Sequence, residues 1–468
     1  MATRQAVISV ATVVRVWSAR LRNAHPDHRA IARGMAWVTL FVLLGKLAGA
    51  AKEMAIAYRY GVSVEVDAYL FVFNLVNWPV SVWFSVLTVV LVPLAARIRQ
   101  GAAAELPRFR AELLGLTLLL GIALALLAWL GLPLLLRSSW TGLPSTTVTI
   151  ATNMAIALAL LAPLGVLISL FSAWMLAAGR HANTLLESIP ALVILVALLA
   201  FPGGRAEPLV WGTLAGFVLH LASLAVPLAW RSESEAPRFT HQSLQWSTFW
   251  QGFGIMLAGQ MLMSFIGIID QFFAAPLGTG AIATLSYANR ILALMLGLGA
   301  TAVGRATLPV FSQAQVQGGG PLHRVATYWV RLLFVVGVIA MIVGWWLTPW
   351  AVKLLFERGA FTARNTAAVT EILRYGLAQL PFYFAALVLV SYASSQCRYL
   401  LLFWSGVIGI VCKMIANTVL VSLFGIKGIA LAWVIVYMLN ALFFWMTLGY
   451  SNEYFDKKTT LGSELPIS

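Results

Sequence analysis

The sequence predicts an all-α polytopic membrane protein, with twelve transmembrane helices in two six-helix lobes related by a parallel repeat. Three observations predict it. First, 61% of the 468 residues are hydrophobic and 10% are charged, and the mean hydropathy is +0.88; no water-soluble core of this length could bury such a composition. Second, the apolar residues fall into runs long enough to cross about 30 Å of hydrocarbon at roughly 20 residues each. Third, prolines recur at a nearly constant offset between the two halves of the chain.

In chain order the runs lie at 35–58, 67–96, 111–136, 147–178, 184–201, 208–230, 247–275, 281–312, 326–350, 365–394, 399–423 and 427–448. The loops between them are mostly short, leaving no room for a soluble catalytic domain. The organisation expected is a basic leader (1–34), a first lobe (35–230), a polar linker (231–246), a second lobe (247–448) and a tail (449–468). The stretch from Ala6 to Val14 follows Arg4 like a short signal peptide, but Trp17, Ser18 and Ala19 make a poor cleavage site and more arginines follow. With the amino terminus inside, the inner segments carry seventeen Lys or Arg and the outer loops seven. The positive-inside rule therefore places both termini in the cytoplasm. The loop between spans 9 and 10 dissents, with Lys353, Arg358 and Arg364.

The repeat is read from Pro93 and Pro309, Pro133 and Pro349, Pro163 and Pro381, and the loop residues Arg180 and Arg398, at offsets of 216 to 218. Six helices per half is an even number, so both halves share one orientation and are related by an axis along the membrane normal. That is a transporter plan, with its cavity between the lobes.

Composition and motifs also exclude classes. The +15 net charge is concentrated at the ends of apolar runs rather than in a stripe with interleaved aromatics, which argues against nucleic acid. No Walker-type glycine loop is present, so no ATP is expected to be consumed. The six histidines show no ligand spacing, and no metal or other cofactor is expected. Cys397 and Cys412, fifteen residues apart on a helix, would sit about 22 Å apart and form no disulfide.

Charges inside the spans point to the function, because each costs a few kcal/mol in hydrocarbon. Arg305 and Arg331 lie near helix ends and can snorkel; Arg374 has Glu371 three residues earlier as an intrahelical partner. Lys46 and Glu53, seven apart on span 1, share a face, while Lys52 points elsewhere. Gly45 and Gly49 make that helix thin. Arg290 on span 8 has Asn289 beside it and no acid within a turn; its fork suits phosphate or carboxylate, the alternative being a structural partner such as Asp270. Asp270 on span 7 and Lys413 with Asn417 on one face of span 11 make either a fixed interhelix salt bridge or the remnant of a cation site.

These residues are familiar. Residues 45–97, GKLAGAAKEMAIAYRYGVSVEVDAYLFVFNLVNWPVSVWFSVLTVVLVPLAAR, resemble the first two helices of the MurJ/MviN lipid II flippase family, within the multidrug/oligosaccharidyl-lipid/polysaccharide exporter superfamily. Residues 268–312, from IIDQFF to PVFS, are similar to that family's helices 7 and 8, and LLFERGAFTARNT (354–366) to its 9–10 loop. By this resemblance Lys46 and Lys52 stand where the family has arginines, Glu53 and Asp67 where it has acids, and Arg290 where it has a cavity arginine. Asn289 stands in place of the usual acid, and Trp78, Pro79, Val80 and Ser81 follow Asn77 where further arginine is usual. The family typically has fourteen helices, the last two contributing a groove for the lipid tail. Some relatives hold sodium between an acid on helix 7 and polar groups on helix 11, where this chain has Lys413.

The resemblance implies a flippase that carries a polyprenyl-pyrophosphate-linked saccharide, lipid II or a related glycan precursor, across the bacterial cytoplasmic membrane by alternating access. Lys46, Lys52 and Arg290 would compensate the pyrophosphate, and Glu53 and Asp67 would gate or orient them. The rival readings are an exopolysaccharide repeat-unit flippase, a drug or metabolite antiporter of the same superfamily, which would prefer an acidic cavity, and a membrane-bound glycosyltransferase, which would show clustered acids or a long external loop.

Overall fold

Every predicted apolar run falls on helix in the computed structural model, which describes residues 26–101, 103–180, 183–201, 206–230, 235–316, 322–396 and 398–462. Most of the leader, Cys397 and the last six residues lie outside the described residues, as does the side chain of Arg305. The helices are α1 (Pro26–Tyr60), α2 (Val64–Gly101), α3 (Leu106–Arg137), α4 (Ser145–Leu158), α5 (Leu161–Ala177), α6 (Asn183–Ala200) and α7 (Glu207–Trp230). The second set is α8 (Trp246–Ala274), α9 (Ala281–Val316), α10 (Leu322–Phe356), α11 (Ala363–Leu377), α12 (Leu380–Ser395), α13 (Tyr399–Phe424) and α14 (Ile426–Gly462). No strand occurs among the described residues.

By length and apolarity, nine helices among the described residues qualify as spans, or eleven when α4–α5 and α11–α12 each count as one bent span. The count of twelve rests on adding α1, whose described face is interrupted by Lys46, Lys52 and Glu53.

The bends show how the repeat is built. α4 meets α5 at 47° and α11 meets α12 at 43°. Pro163 and Pro381, two of the repeated prolines, lie just past these breaks, and a proline denies its amide to the carbonyl four residues earlier. In hydrocarbon the freed groups must be satisfied internally. The Ala159 carbonyl accepts instead from the Ala162 amide at 3.1 Å. At the second break the buried Gln379 donates both its main-chain amide (3.2 Å) and its side-chain amide (2.7 Å) to the Gly376 carbonyl.

Packing repeats along with the bends. α5 packs on α2, α3 and α7 as α12 packs on α9, α10 and α14, and α6 pairs with α7 as α13 pairs with α14. One contact recurs in detail. A Cβ on Gly121 of α3 would lie 2.8 Å from Cα of Pro163, and a Cβ on Gly337 of α10 would lie 2.5 Å from Cα of Pro381. Each broken helix therefore rests its proline on a glycine of its neighbour, so the two lobes share one plan.

The linker binds to the first lobe through Glu112 of α3. This buried carboxylate accepts from Thr240 Oγ1 (2.9 Å), the amides of Gln242 (3.2 Å) and Ser243 (3.1 Å) and Nε1 of Trp246 (2.7 Å). The Arg238 amide donates to the Ala111 carbonyl at 2.9 Å. His241 stacks on Trp246 with ring centroids 4.1 Å apart. This face is the linker end of the molecule.

Three charges resolve as local matters. Arg331 is exposed. Arg374 does not pair with Glu371: its Nε donates to the Trp345 carbonyl at 3.2 Å and its guanidinium lies over the Trp345 ring, while Glu371 takes Lys427 at 2.6 Å. Glu371 thus ties α11 to α14 instead.

The glycine–proline contacts predict opposite signs for two alanine substitutions on α3. Gly131→Ala meets only Leu127 Cδ1, at an ordinary contact distance of 3.9 Å, and gains helix propensity of about 1 kcal/mol, so the thermal midpoint of the purified protein rises or holds. Gly121→Ala gains the same propensity but overpacks against backbone, costing about 1–3 kcal/mol, so the midpoint falls.

Candidate functional site

The sequence places Glu53 on α1 and Arg290 on α9, in different lobes, and the structure brings them together. Arg290 Nη2 lies 3.1 Å from Glu53 Oε1, and Lys52 Nζ lies 2.8 Å from the same oxygen. Arg290 is therefore not unpaired, and its partner is Glu53, not Asp270. Lys52 does not point away from Glu53 either; its flexible stem reaches the neighbouring carboxylate. Two cations thus converge on one anion at the junction of the lobes. The Arg290 side chain remains 47% exposed, so a ligand can reach it. Lys46 is exposed and lines none of the cavities described here, so the face shared with Glu53 in sequence does not become a shared site.

Arg290 lines a polar cavity of about 290 Å³ with Asn74 of α2, Asp270 and Gln271 of α8, and Ser286 and Asn289 of α9. Oε1 of Gln271 is buried there without a hydrogen-bond partner. The half-exposed guanidinium in this polar cavity leaves a surface that a ligand can complete.

Behind the cavity wall Asp270 is fully engaged. Its Oδ1 accepts from Lys413 Nζ (2.9 Å) and Asn417 Nδ2 (3.1 Å), and its Oδ2 from Trp433 Nε1 (2.7 Å). Lys413 is fully buried, donates also to the Ile429 carbonyl at 3.0 Å, and lies 4.4 Å from the centre of the Trp433 ring. An ammonium surrounded by a carboxylate, a carbonyl and an indole face has the ligands a bound cation would take. The set ties α8, α13 and α14 together. Trp433 and Ile429 carry no sequence signal for this role.

Asp67 serves a different place. Buried at the start of α2, it accepts from the amides of Gly280 and Ala283, the latter at 2.7 Å. The carboxylate of one lobe thereby caps the first turn of a helix in the other, where amides lack intrahelical partners and the helix dipole favours an anion. Around it the lobes close. Tyr287 Oη donates to the Gly61 carbonyl (3.0 Å), and the Ala360 amide to the Tyr58 carbonyl (2.7 Å). Gly61 (φ +58°) and Gly359 (φ +60°) take left-handed turns where a Cβ would strike the facing backbone. The motif at 354–366 is the strap that seals this end, opposite the linker end. Between the two ends α2 lies along α8, with Trp78 Nε1 donating to Ser264 Oγ at 2.9 Å.

The profile of the family described as Lipid II flippase MurJ matches residues 56–463. The chain belongs to the MurJ lipid II flippase family. Among curated relatives named "Probable lipid II flippase MurJ", that of Vibrio cholerae is 26% identical over 201 residues, covering 42% of this chain and 37% of that protein. That of Rhizobium tropici is 31% identical over 180 residues, covering 36% of this chain and 32% of that protein. The chain thus spans less than half the length of these two relatives. Among solved structures, "Lipid II flippase MurJ, inward closed conformation" superposes with a TM-score of 0.77 at 19% identity, covering 88% of this chain and 87% of that one. An inward-facing multidrug resistance MATE family transporter of the MOP superfamily gives 0.68 at 18% identity, covering 87% and 95%. The fold is therefore that of MurJ and MATE transporters, and this MurJ-family chain is a multi-pass membrane protein.

The inter-lobe cap yields a test. Asp67→Ala removes the acceptor for two amides of α9, and the sealed end of this MurJ-family chain opens more often. Distance measurements between spin labels at Ser139 and Thr279, both exposed at that end, would show a longer-distance population grow in the variant. An unchanged distribution would remove Asp67 from the seal.

Proposed function

We propose that this chain is a flippase that moves a polyprenyl-pyrophosphate-linked saccharide, lipid II or a related glycan precursor, from the inner to the outer leaflet of the bacterial cytoplasmic membrane. The observation that carries the reading is the convergence of Lys52 and Arg290, from different lobes, on Glu53. A pyrophosphate offers the same cations more negative charge than one carboxylate does, in a bidentate geometry that guanidinium favours. It displaces Glu53 and loosens the inter-lobe contact that holds the present state.

The linker end is taken as cytoplasmic, in keeping with the excess of Lys and Arg in the segments on that side. The cavity at Arg290 then loads from the inner leaflet while the Asp67 cap and the 354–366 strap seal the outer end. The lobes, residues 35–230 and 247–448, rock about the seam of α2 and α8, and Asp67 releases α9 as the outer end opens. The inside-negative potential favours outward movement of an anion by about 2.3 kcal/mol per charge per 100 mV, so the cycle runs without ATP. Lys46 acts on the approach path, since it is exposed and lines none of the cavities described here.

Lys413 is read as a permanent internal counter-ion for Asp270, standing where some relatives hold sodium. The thermal midpoint of the purified protein is then the same in sodium and in potassium. Asp270→Asn leaves a buried ammonium unpaired and costs about 3–5 kcal/mol. A sodium-dependent rise in midpoint that Asp270→Asn abolishes would overturn this reading.

The decisive experiment is growth of cells whose own lipid II flippase is shut off. The chain restores growth and Arg290→Ala, expressed and inserted to the same level, does not. Growth restored equally by both would remove Arg290 from the site. Failure of the parental chain despite correct insertion would assign it to a different lipid-linked glycan, such as an exopolysaccharide unit.

A further inference from the structure

The first lobe contains a second cavity, distinct from the one at Arg290 and lined by α1, α2, α5, α6 and α7. It is an open cleft with a volume of about 390 Å³, within the range of small-ligand sites. Its polar lining includes Asn77, Ser172, Glu187 and His220. His220 is 5% exposed and its Nε2 is buried without a partner. Neither the Asn77 amide nor the Ser172 hydroxyl forms a side-chain hydrogen bond among the described residues. Glu187 Oε1 accepts from Asn183 at 3.0 Å, and its second oxygen has no bond among the described residues. The rest of the wall is largely apolar, with the rings of Phe73, Phe84 and Phe217 beside aliphatic residues such as Val80, Ile168 and Ile194.

We propose that this chamber binds the saccharide of the lipid-linked cargo, an inference that rests on the flippase reading above. The lining has the chemistry of a sugar site. The Asn77 amide, the Ser172 hydroxyl and the His220 imidazole nitrogen, without protein partners, and the second oxygen of Glu187 offer both donors and acceptors, which match hydroxyl and acetamido groups. The aromatic rings offer flat apolar faces for the C–H side of a pyranose. Net charge argues the same way. The lining carries one cation, Lys52, which is paired with Glu53, and one carboxylate, Glu187, so its formal charges sum to zero, which suits a neutral, hydroxylated ligand better than an ion. Position completes the case. Lys52 belongs to this chamber and also touches Glu53, which touches Arg290 at the inter-lobe cavity. A pyrophosphate held between Lys52 and Arg290 therefore presents its sugar to the chamber past Lys52.

The test uses the full chain in lipid nanodiscs, titrated with undecaprenyl pyrophosphate and, separately, with lipid II. Wild type binds lipid II more tightly than the bare pyrophosphate. Asn77→Leu, nearly isosteric, and Ser172→Phe, which fills the chamber, each weaken lipid II by roughly tenfold or more while binding of the bare pyrophosphate stays unchanged. Arg290→Ala weakens both lipids. If Asn77→Leu leaves the ratio of the two affinities at its wild-type value, the chamber is not the saccharide site, though the flippase reading survives. Equal wild-type affinity for the two lipids has the same meaning. If wild type binds neither lipid, the flippase reading fails and the chamber proposal falls with it.

Discussion

A helix that crosses hydrocarbon has no water to turn to, so each polar group it carries must find its partner inside the protein. This constraint shapes the molecule at every level. It decides how a broken helix is repaired: at Ala159 a short-range bond replaces the one Pro163 removed, and at the second break Gln379 brings two donors to the Gly376 carbonyl. It forces Lys413 into contact with Asp270, Ile429 and Trp433. It also makes the few charges left incompletely satisfied, those around Arg290, the natural place for a ligand. Most of the chain is apolar, packed in the core or facing lipid, and the chemistry is concentrated in a handful of groups where the lobes meet.

Those groups fall into two kinds, and the difference is mechanical. Asp270 ties three helices of the second lobe together, and Glu112 ties the linker and the first residue of α8 to the first lobe: each accepts several bonds, and breaking any one leaves the others. Glu53 and Asp67 instead bridge two bodies, and each can be replaced. A stronger anion can substitute for Glu53 between its cations, and water can substitute for Asp67 at the amides of α9 once that end opens. Contacts within a lobe are redundant, whereas contacts between lobes are exchangeable, as alternating access requires.

The parts legible in the sequence were those set by composition and by local spacing. Twelve runs, a halfway linker and the offset of the prolines follow from one-dimensional patterns, and the bends at Pro163 and Pro381 give those offsets a physical cause. The association of Asp270 with Lys413 and Asn417 was legible because charges so deep in apolar runs have few partners to choose from. The partner of Arg290 was not, since Glu53 lies in the other lobe and helical periodicity carries no information across lobes. Lys46 misled for the same reason: sharing a face with Glu53 fixes its direction from α1 but not what lies in that direction. Gly61, Gly359 and Tyr58 could not be singled out, because a left-handed glycine in a loop looks ordinary until the opposing backbone is known. His220 was dismissed for lacking ligand spacing, yet its isolation in sequence is compatible with a chamber assembled from five helices.

The arrangement of Lys52, Glu53 and Arg290 also bears on how binding can drive movement. A site already filled by an internal carboxylate has part of the desolvation of its cations done before the ligand arrives, Lys52 more than the half-exposed Arg290. The ligand must beat Glu53, and the free energy by which it does so is available to shift the lobes, since freeing Glu53 removes an ion pair between α1 and α9. After release on the far side, Glu53 can return to its cations and restore the sealed state. The same carboxylate thus acts as a stand-in for the cargo in the empty protein, which lets the site return with one net positive charge instead of two, a direction the inside-negative potential favours, without exposing bare cations to the bilayer.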